Sequence, residues 1–334
     1  MDSLTQLRLT RELVDIDSTT GREHEAGRFI VAALRDLEYD VTEQPVADGR
    51  VNIIAMAGRP EVVLTTHFDC VPPFMPSRES GDRLYGRGSC DAKGTLIAQI
   101  AAVERLRESG ESRVGLLFVV GEERGSDGAK AANAVAPGSR YLVNGEPTDN
   151  RLGTATRGAY RVRLRASGRA AHSSLPELGI SAIDKLIDAL IVLRGIAWPR
   201  DPDLGHTFYN VGSIAGGVAP NVIPPSAEAE LMFRTVGPHE TIRGLIEEHA
   251  GTLVSVEDVL ALPASRLGTV PGIESAPFSF TTDIPWLDRW GTPLLLGPGS
   301  AAVAHSDDEH VRIADLYRAV DLYVQIASYL LAVK

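Results

Sequence analysis

Seven residues of this chain have the types and positions that chemistry needs. They are His67 and Asp69 in "TTHFD", Asp91 in "GRGSCDAKG", Glu122 and Glu123 in "VVGEE", Glu146 in "LVNGEP" and His305 in "AVAHSDDEH". They fall at the ends of runs with strand character, so five strand ends deliver two imidazoles and five carboxylates to one rim. Singly, each has an ordinary reading. A histidine at a strand end is most often a hydrogen-bonded loop residue, an adjacent Glu pair is a solvated face, and an Asp before a helix is an N-cap. Together these readings become strained, because several carboxylates in one cleft repel and raise one another's pKa. Divalent cations remove that cost, and mixed imidazole and carboxylate ligands suit zinc, with cobalt or manganese as alternatives. Adjacent side chains point differently. One of the pair Glu122 and Glu123 can therefore bind metal while the other stays free as a general base and then as an acid toward a leaving amine. Asp69, two residues beyond His67, can accept the other imidazole N–H and orient the ring.

The elements that must position these residues are legible in outline. Apolar spacing predicts a helix over 3–16, and "STTGREHEAGRFIVAALRDL" begins with turn and cap residues and continues as a second helix; "VNIIAMA" and "EVVLTTHFD" read as buried strands. A helix over 94–109, a strand "RVGLLFVV", a helix "SDGAKAANAVA" and a strand "RYLVNGEP" follow. This alternation implies an α/β fold with a mostly parallel sheet and chemistry at the carboxyl ends of its strands. After Arg157 the pattern changes. "GAYRVRLRASGR" alternates apolar and basic residues, then come a helix (179–194), strands (207–216 and 226–235), a helix (238–250) and a strand (252–261). The β-α-β-β-α-β order is ferredoxin-like. "LLLGPGSAAVAH" returns to buried-strand character and a helix over 310–332 closes the chain. The expected organisation is a catalytic domain of residues 1–156 and 265–334, with 157–264 inserted as an α+β lid and dimerisation domain.

Composition narrows the class. The 334 residues carry a formal net charge of −11, which argues against a nucleic-acid partner. No apolar run approaches the ~20 residues a membrane span needs, and the polar, acidic start "MDSLTQLRLTRELVDID" does not read as a signal peptide. Two cysteines exclude a disulfide framework and point to a reducing cytoplasm. Cys70 and Cys90 each sit one residue from a site acid and read as buried, inert thiols. Asp283 in "SFTTDIPWLDRW" reads either as pocket lining or as a helix N-cap.

The motifs "THFDCVPP", "GRGSCDAKG", "GEERGS", "NGEP", "GRAAHSS", "APNVIP" and "GPGSAAVAHSDDEH" span nearly the whole chain. In this order they resemble the co-catalytic zinc amidohydrolases and peptidases that include acetylornithine deacetylase, succinyl-diaminopimelate desuccinylase and carboxypeptidase G. The resemblance implies two metal ions bridged by Asp91, one also held by His67 and Glu146 and the other by Glu123 and His305. It implies Glu122 as the general base, Asp69 as the residue that orients His67, and a cis peptide after Asp91. In the inserted domain His172 resembles a histidine donated across a homodimer interface to the oxyanion, and Asn221 and Arg234 resemble substrate-binding positions. Gly297-Pro298-Gly299 resembles a backbone-amide cradle for a substrate carboxylate, through Gly297 and Gly299. The implied reaction is hydrolysis of the amide bond of an N-acyl amino acid, acetylornithine deacetylase-like, with acetyl-lysine, acetylcitrulline or a short peptide as other substrates. A metallo-carboxypeptidase or dipeptidase is the alternative enzyme. A metal-bound binding protein on the same fold is the non-enzyme alternative, against which the intact Glu122 argues.

Overall fold

The computed structural model describes residues 1–333. Two compact units make up the chain. The first contains residues 1–154, 267–276 and the chain from 282 onward; the second contains 155–266 and 277–281. The return of 277–281 to the second unit has no signature in the hydrophobic pattern. The principal elements begin with helices α1 (Ser3–Val14) and α2 (His24–Asp36) and strands β1 (Val41–Pro45), β2 (Val51–Ala55) and β3 (Val62–His67). Helix α3 (Lys93–Glu108), strand β4 (Val114–Val119), helix α4 (Asp127–Asn133) and strand β5 (Tyr141–Asn144) follow. The second unit holds β6 (Gly158–Ser167), α5 (Ala182–Arg194), β7 (Phe208–Gly216), β8 (Ser226–Thr235), α6 (His239–Ala250) and β9 (Ser255–Leu262). Strand β10 (Thr292–Leu295) and helix α7 (Ile313–Ala332) then complete the first.

The first unit is built on a six-stranded sheet in the order β1-β2-β4-β3-β5-β10. Strands β4, β3, β5 and β10 run parallel, and β2 and β1 add an antiparallel edge. Both faces of the central strands are covered, and period-two alternation sorts their side chains. Val62, Leu64, Leu116 and Phe118 enter one core with Leu96, Ile100 and Val103 of α3 and Val320 and Tyr323 of α7. Val63, Leu117 and Val119 face the other way, toward Ala129, Ala132 and Trp290. Helix α3 is buried from Lys93 through Val103, the state expected of a helix apolar almost all round.

The second unit is a four-stranded antiparallel sheet in the order β7-β8-β6-β9. Its core pairs Tyr160, Val162 and Leu164 with Leu231 and Phe233, under Leu186 and Leu193 of α5 and Ile242 and Ile246 of α6. The opposite face carries the basic alternation seen in the sequence. Arg163 reaches Glu230 (2.5 Å) and Glu257 (3.3 Å), and Arg165 reaches Glu257 (2.9 Å). No helix among the described residues is long and apolar enough to cross a membrane.

Several boundaries differ from expectation for identifiable reasons. Helix α2 starts at His24, after the turn and cap residues expected before it, whose side chains are committed elsewhere. Thr19 bonds to Asp17 and Thr20 to Asp69. Helix α5 starts at Ala182 because the Ser181 side chain caps it, accepting from the Asp184 amide at 3.1 Å. Residues 310–312 are a short strand against Arg83–Tyr85 rather than the first turn of α7. Strand β1, "VTEQP", was not expected at all; it is a polar, half-exposed edge with no apolar alternation to reveal it.

Candidate metal centre

The parallel strands of the first unit end where the polar residues begin. His67 is the last residue of β3. Beyond β4 the chain turns at Gly121 (φ +75°) and presents Glu122 and Glu123 on a single 3-10 turn, Glu122–Arg124. Glu146 lies two residues past β5, and His305 lies in the turns after β10. Asp91 stands in the tight loop before α3. It is not an N-cap: Ala92 occupies that position, and the helix has no side-chain cap. The Asp91–Ala92 peptide is cis.

Six of the seven residues meet around Asp91 or behind it. Asp91 Oδ1 lies 3.0 Å from His67 Nε2, and Asp91 Oδ2 lies 3.2 Å from His305 Nε2. Thus each oxygen of one carboxylate faces a different imidazole. His67 Nε2 is also 3.8 Å from Glu146 Oε2, and His305 Nε2 is 2.8 Å from Glu123 Oε1. One ligand atom each from His67, Asp91 and Glu123 falls within a 4.8 Å span.

Asp69 organises the back of this cluster. It is fully buried and accepts from Thr20 Oγ1 (2.8 Å) and from the backbone amides of Glu122 (3.0 Å) and Glu123 (3.2 Å). It therefore fastens the turn that carries the Glu pair as well as standing 3.5 Å from His67 Nδ1. The closer partner of Nδ1 is the main-chain carbonyl of Asp69, at 3.0 Å. A carbonyl only accepts, so the ring carries a proton on Nδ1 and turns Nε2 toward Asp91 and Glu146.

The electrostatics call for a cation. Burial pushes Glu146 up to about 8. Burial, then the charge of Glu146, pushes Glu122 well above the usual carboxylate range. Glu123 is also raised by burial. Burial works the same way on Asp91, but hydrogen bonds from His305 and His67 outweigh it and hold that carboxyl well below its ordinary value. Those contacts with Asp91 and Glu123 draw His305 up to about 10. Glu146 Oε1 is buried with no hydrogen-bond partner, an arrangement costly for a carboxylate unless an ion satisfies it. Imidazole and carboxylate donors in this pattern fit a divalent metal of the zinc type.

Other expected site residues change role or belong to the second unit. Gly297 does not offer a free amide. Its N–H donates to Thr148 Oγ1 at 2.9 Å, and Pro298 has no N–H, so the expected amide cradle is reduced to Gly299. Gly297 is instead required for close approach, since a Cβ there would stand 2.4 Å from the Glu146 carbonyl. Asp283 precedes a 3-10 turn but makes no capping bond. It is buried with both oxygens lacking hydrogen-bond partners, and burial pushes it up to about 7. His172, Asn221 and Arg234 belong to the second unit. There the His172 and Asn221 loops pack together, with Ser173 N donating to Asn221 O at 3.0 Å. Arg234 is part-buried, touches Thr281 at 3.5 Å and pairs with no carboxylate among the described residues. Sequence reasoning missed Glu309, which is buried against the Asp91 loop. It sits at the end of an acidic run in which Asp307 and Asp308 are exposed, and nothing in the spacing separates the three.

A mostly parallel sheet that gathers two imidazoles and several buried acids at its carboxyl edge forms a candidate metal centre. Residues 63–329 match the peptidase family M20/M25/M40, and the chain belongs to that family. It is 36% identical to a peptidase M20 domain-containing protein of Schizosaccharomyces pombe, over 97% of this chain and 84% of the relative. It is also 36% identical to a probable carboxypeptidase of Aspergillus clavatus, over 96% of this chain and 82% of the relative. Among solved structures, the aminopeptidase PepT of Bacillus cereus has the same fold. The TM-score is 0.84 at 20% identity, covering 99% of both chains.

Proposed function

We propose that this protein is a two-metal carboxypeptidase-type hydrolase. Its reaction is cleavage of the amide bond between an acyl or peptidyl group and an amino acid that keeps a free α-carboxylate. The observation that carries the reading is Asp91, whose two oxygens face His67 and His305 separately. His67, Asp91 and Glu146 would hold one ion and Asp91, Glu123 and His305 the other, with zinc the best match to the donors and cobalt or manganese able to substitute. When bound, the ions supply Lewis acidity and lower the pKa of a water.

The protein's own groups do the rest. Glu122, unlike Glu123, makes no hydrogen bond to an imidazole among the described residues, and its raised pKa suits a group that takes a proton from water and returns it to the leaving nitrogen. Asp69 holds the turn that aims it. Ser174 directs its backbone N–H at His172 Nδ1 (3.2 Å), which makes Nδ1 an acceptor and leaves the proton on Nε2, free to donate to an oxyanion. Arg234, a guanidinium without a carboxylate partner, suits the α-carboxylate of the substrate, with Asn221 alongside the His172 loop. Buried, unpaired Cys70 and Cys90 fit a reducing compartment such as the cytoplasm.

The carboxypeptidase reading draws on the name of the Aspergillus relative; the acetylornithine deacetylase-like reading draws on the motif resemblance. Both cut the same bond and differ in the acyl side. The test is a panel of N-acetyl and N-succinyl amino acids, N-blocked dipeptides and unblocked di- and tripeptides, assayed with added zinc or cobalt. Each peptide is also supplied with an amidated C-terminus. Turnover of peptides with a free carboxylate and none of their amides is expected. Equal turnover of the amides overturns the carboxypeptidase reading, and turnover restricted to acetylated amino acids returns the deacylase.

The proposed assembly is a homodimer formed through the second unit. Its edge strand β7 is exposed along most of its length, and Ile187 and Ile191 of α5 are 49% and 59% exposed. In that dimer His172 serves the partner subunit's site. His172→Ala is expected to lower kcat by about 10²–10³ with metal content intact, as loss of an oxyanion donor does. Mixing His172→Ala with Glu122→Gln protein under subunit exchange should restore activity, because one site of each mixed dimer has both groups. Mixed dimers as inactive as their parents would refute the trans assignment.

A further inference from the structure

We propose that Glu309, together with Arg87, is a positioning residue that sets the spacing between Asp91 and His305 by fastening together the two loops that carry them. The inference rests on the two-metal reading above and extends it to residues that touch neither ion.

The contacts are dense and directional. The Glu309 side chain is fully buried. Its Oε1 accepts from the amides of Gly88 (2.8 Å), Cys90 (3.3 Å) and Asp91 (3.2 Å). Three backbone N–H groups converging on one oxygen form a nest for a carboxylate, and the last of them belongs to the bridging residue itself. Gly88 makes the turn possible. Its φ is +86°, and a Cβ there would lie 2.7 Å from Cys70 Sγ. Glu309 Oε2 accepts from Arg87 Nη1 at 2.5 Å, and the same nitrogen reaches the carbonyl of Ser306, the neighbour of His305, at 3.2 Å. Arg87 Nε donates to the Pro73 carbonyl (3.2 Å), and Gly86 N donates to the Glu309 carbonyl (3.1 Å).

His305 needs such an anchor. Its ring is half exposed, its backbone has φ +62°, and the partners of its side chain are Asp91 and Glu123. Nothing within its own loop fixes the ring, so its place relative to Asp91 depends on how the two loops are joined. Asp91 has independent support from His67 and from the buried start of α3. A loosened clamp therefore displaces His305 more than Asp91, and the metal position that includes His305 should suffer most.

The test is metal binding, measured by competition with a chromophoric chelator and by the absorption spectrum of the cobalt-loaded protein. Glu309→Gln keeps the volume and one acceptor but removes the charge that holds Arg87. Arg87→Lys keeps the charge on a shorter side chain and loses the Nε donor that ties the clamp to Pro73, and provides a second route should the first variant fold poorly. Both should weaken one of two ions by about 10–100-fold, the usual effect of losing a group that orients a ligand. The remaining cobalt spectrum should resemble that of His305→Ala rather than Glu146→Ala. Equal weakening of both ions, or unchanged affinities with a lower melting temperature, would show a merely structural residue and overturn the proposal. Wild-type protein that binds a single ion would instead overturn the two-metal reading, and the clamp with it.

Discussion

Glu122→Gln protein is expected to fold, to bind metal as the wild type does and to lose about 10²–10⁴-fold in kcat, the range that general acid–base catalysis contributes. The amide is nearly isosteric but cannot accept a proton. The backbone bond from Glu122 N to Asp69 Oδ1 is untouched, so the turn keeps its place. Glu123, which does contact His305, is untouched as well. In the wild type, burial and the charge of Glu146 raise the Glu122 pKa, and a neutral amide relieves that repulsion. Stability should therefore hold or rise while turnover collapses. Steady-state kinetics and elemental analysis of the same sample separate these effects. A kcat within a few-fold of wild type would move the base to another group, and a loss of metal would make Glu122 a ligand.

The different legibility of neighbouring residues has a physical basis. The strand-end placement of His67, Asp69, Glu122, Glu123 and Glu146 was readable because each ends or follows a strand whose residues are almost all buried, and a polar side chain at the end of such a run has few places to go but the rim. The ferredoxin-like order of the second unit was readable because Arg161, Arg163 and Arg165 alternate with Tyr160, Val162 and Leu164. What stayed hidden depends on three-dimensional pairing. Glu309 looks like Asp307 and Asp308 in sequence, and only the amides of a loop more than 200 residues away separate them. The glycines at 297 and 299 suggested open amides, but the hydroxyl of Thr148 takes the first. Asp283 has the spacing of a cap, yet it is buried without partners. Thr20 read as one of several turn and cap residues, and nothing in the spacing shows that its hydroxyl serves Asp69.

Asp91→Ala should abolish binding of both ions and with it all activity, whereas Glu146→Ala should mainly weaken one. Among the described residues Asp91 is the single carboxylate that touches both imidazoles, so its removal strips a ligand from each proposed position at once. Any stabilisation that metal gives the folded chain, which grows with free metal above the dissociation constant, should vanish in the variant. Even without metal the two proteins should differ in a pH-dependent way. The Asp91 pKa is depressed in the fold, so its carboxylate adds stability that is present above the ordinary value of 3.8 and is lost as pH falls below it. The His305 pKa is raised to about 10, so its contribution is present below the ordinary 6.5 and is lost as pH rises through 10. The two conditions overlap at mildly acid pH, where the pairing is complete in the wild type and absent from the variant. Melting temperatures of the chelator-treated proteins should therefore diverge most between pH of about 4 and 6.5 and converge in stronger acid. One tightly held metal per Asp91→Ala chain would remove Asp91 from the bridging position, and melting curves that stay parallel down to strong acid would show that its carboxylate is not what the two imidazoles hold.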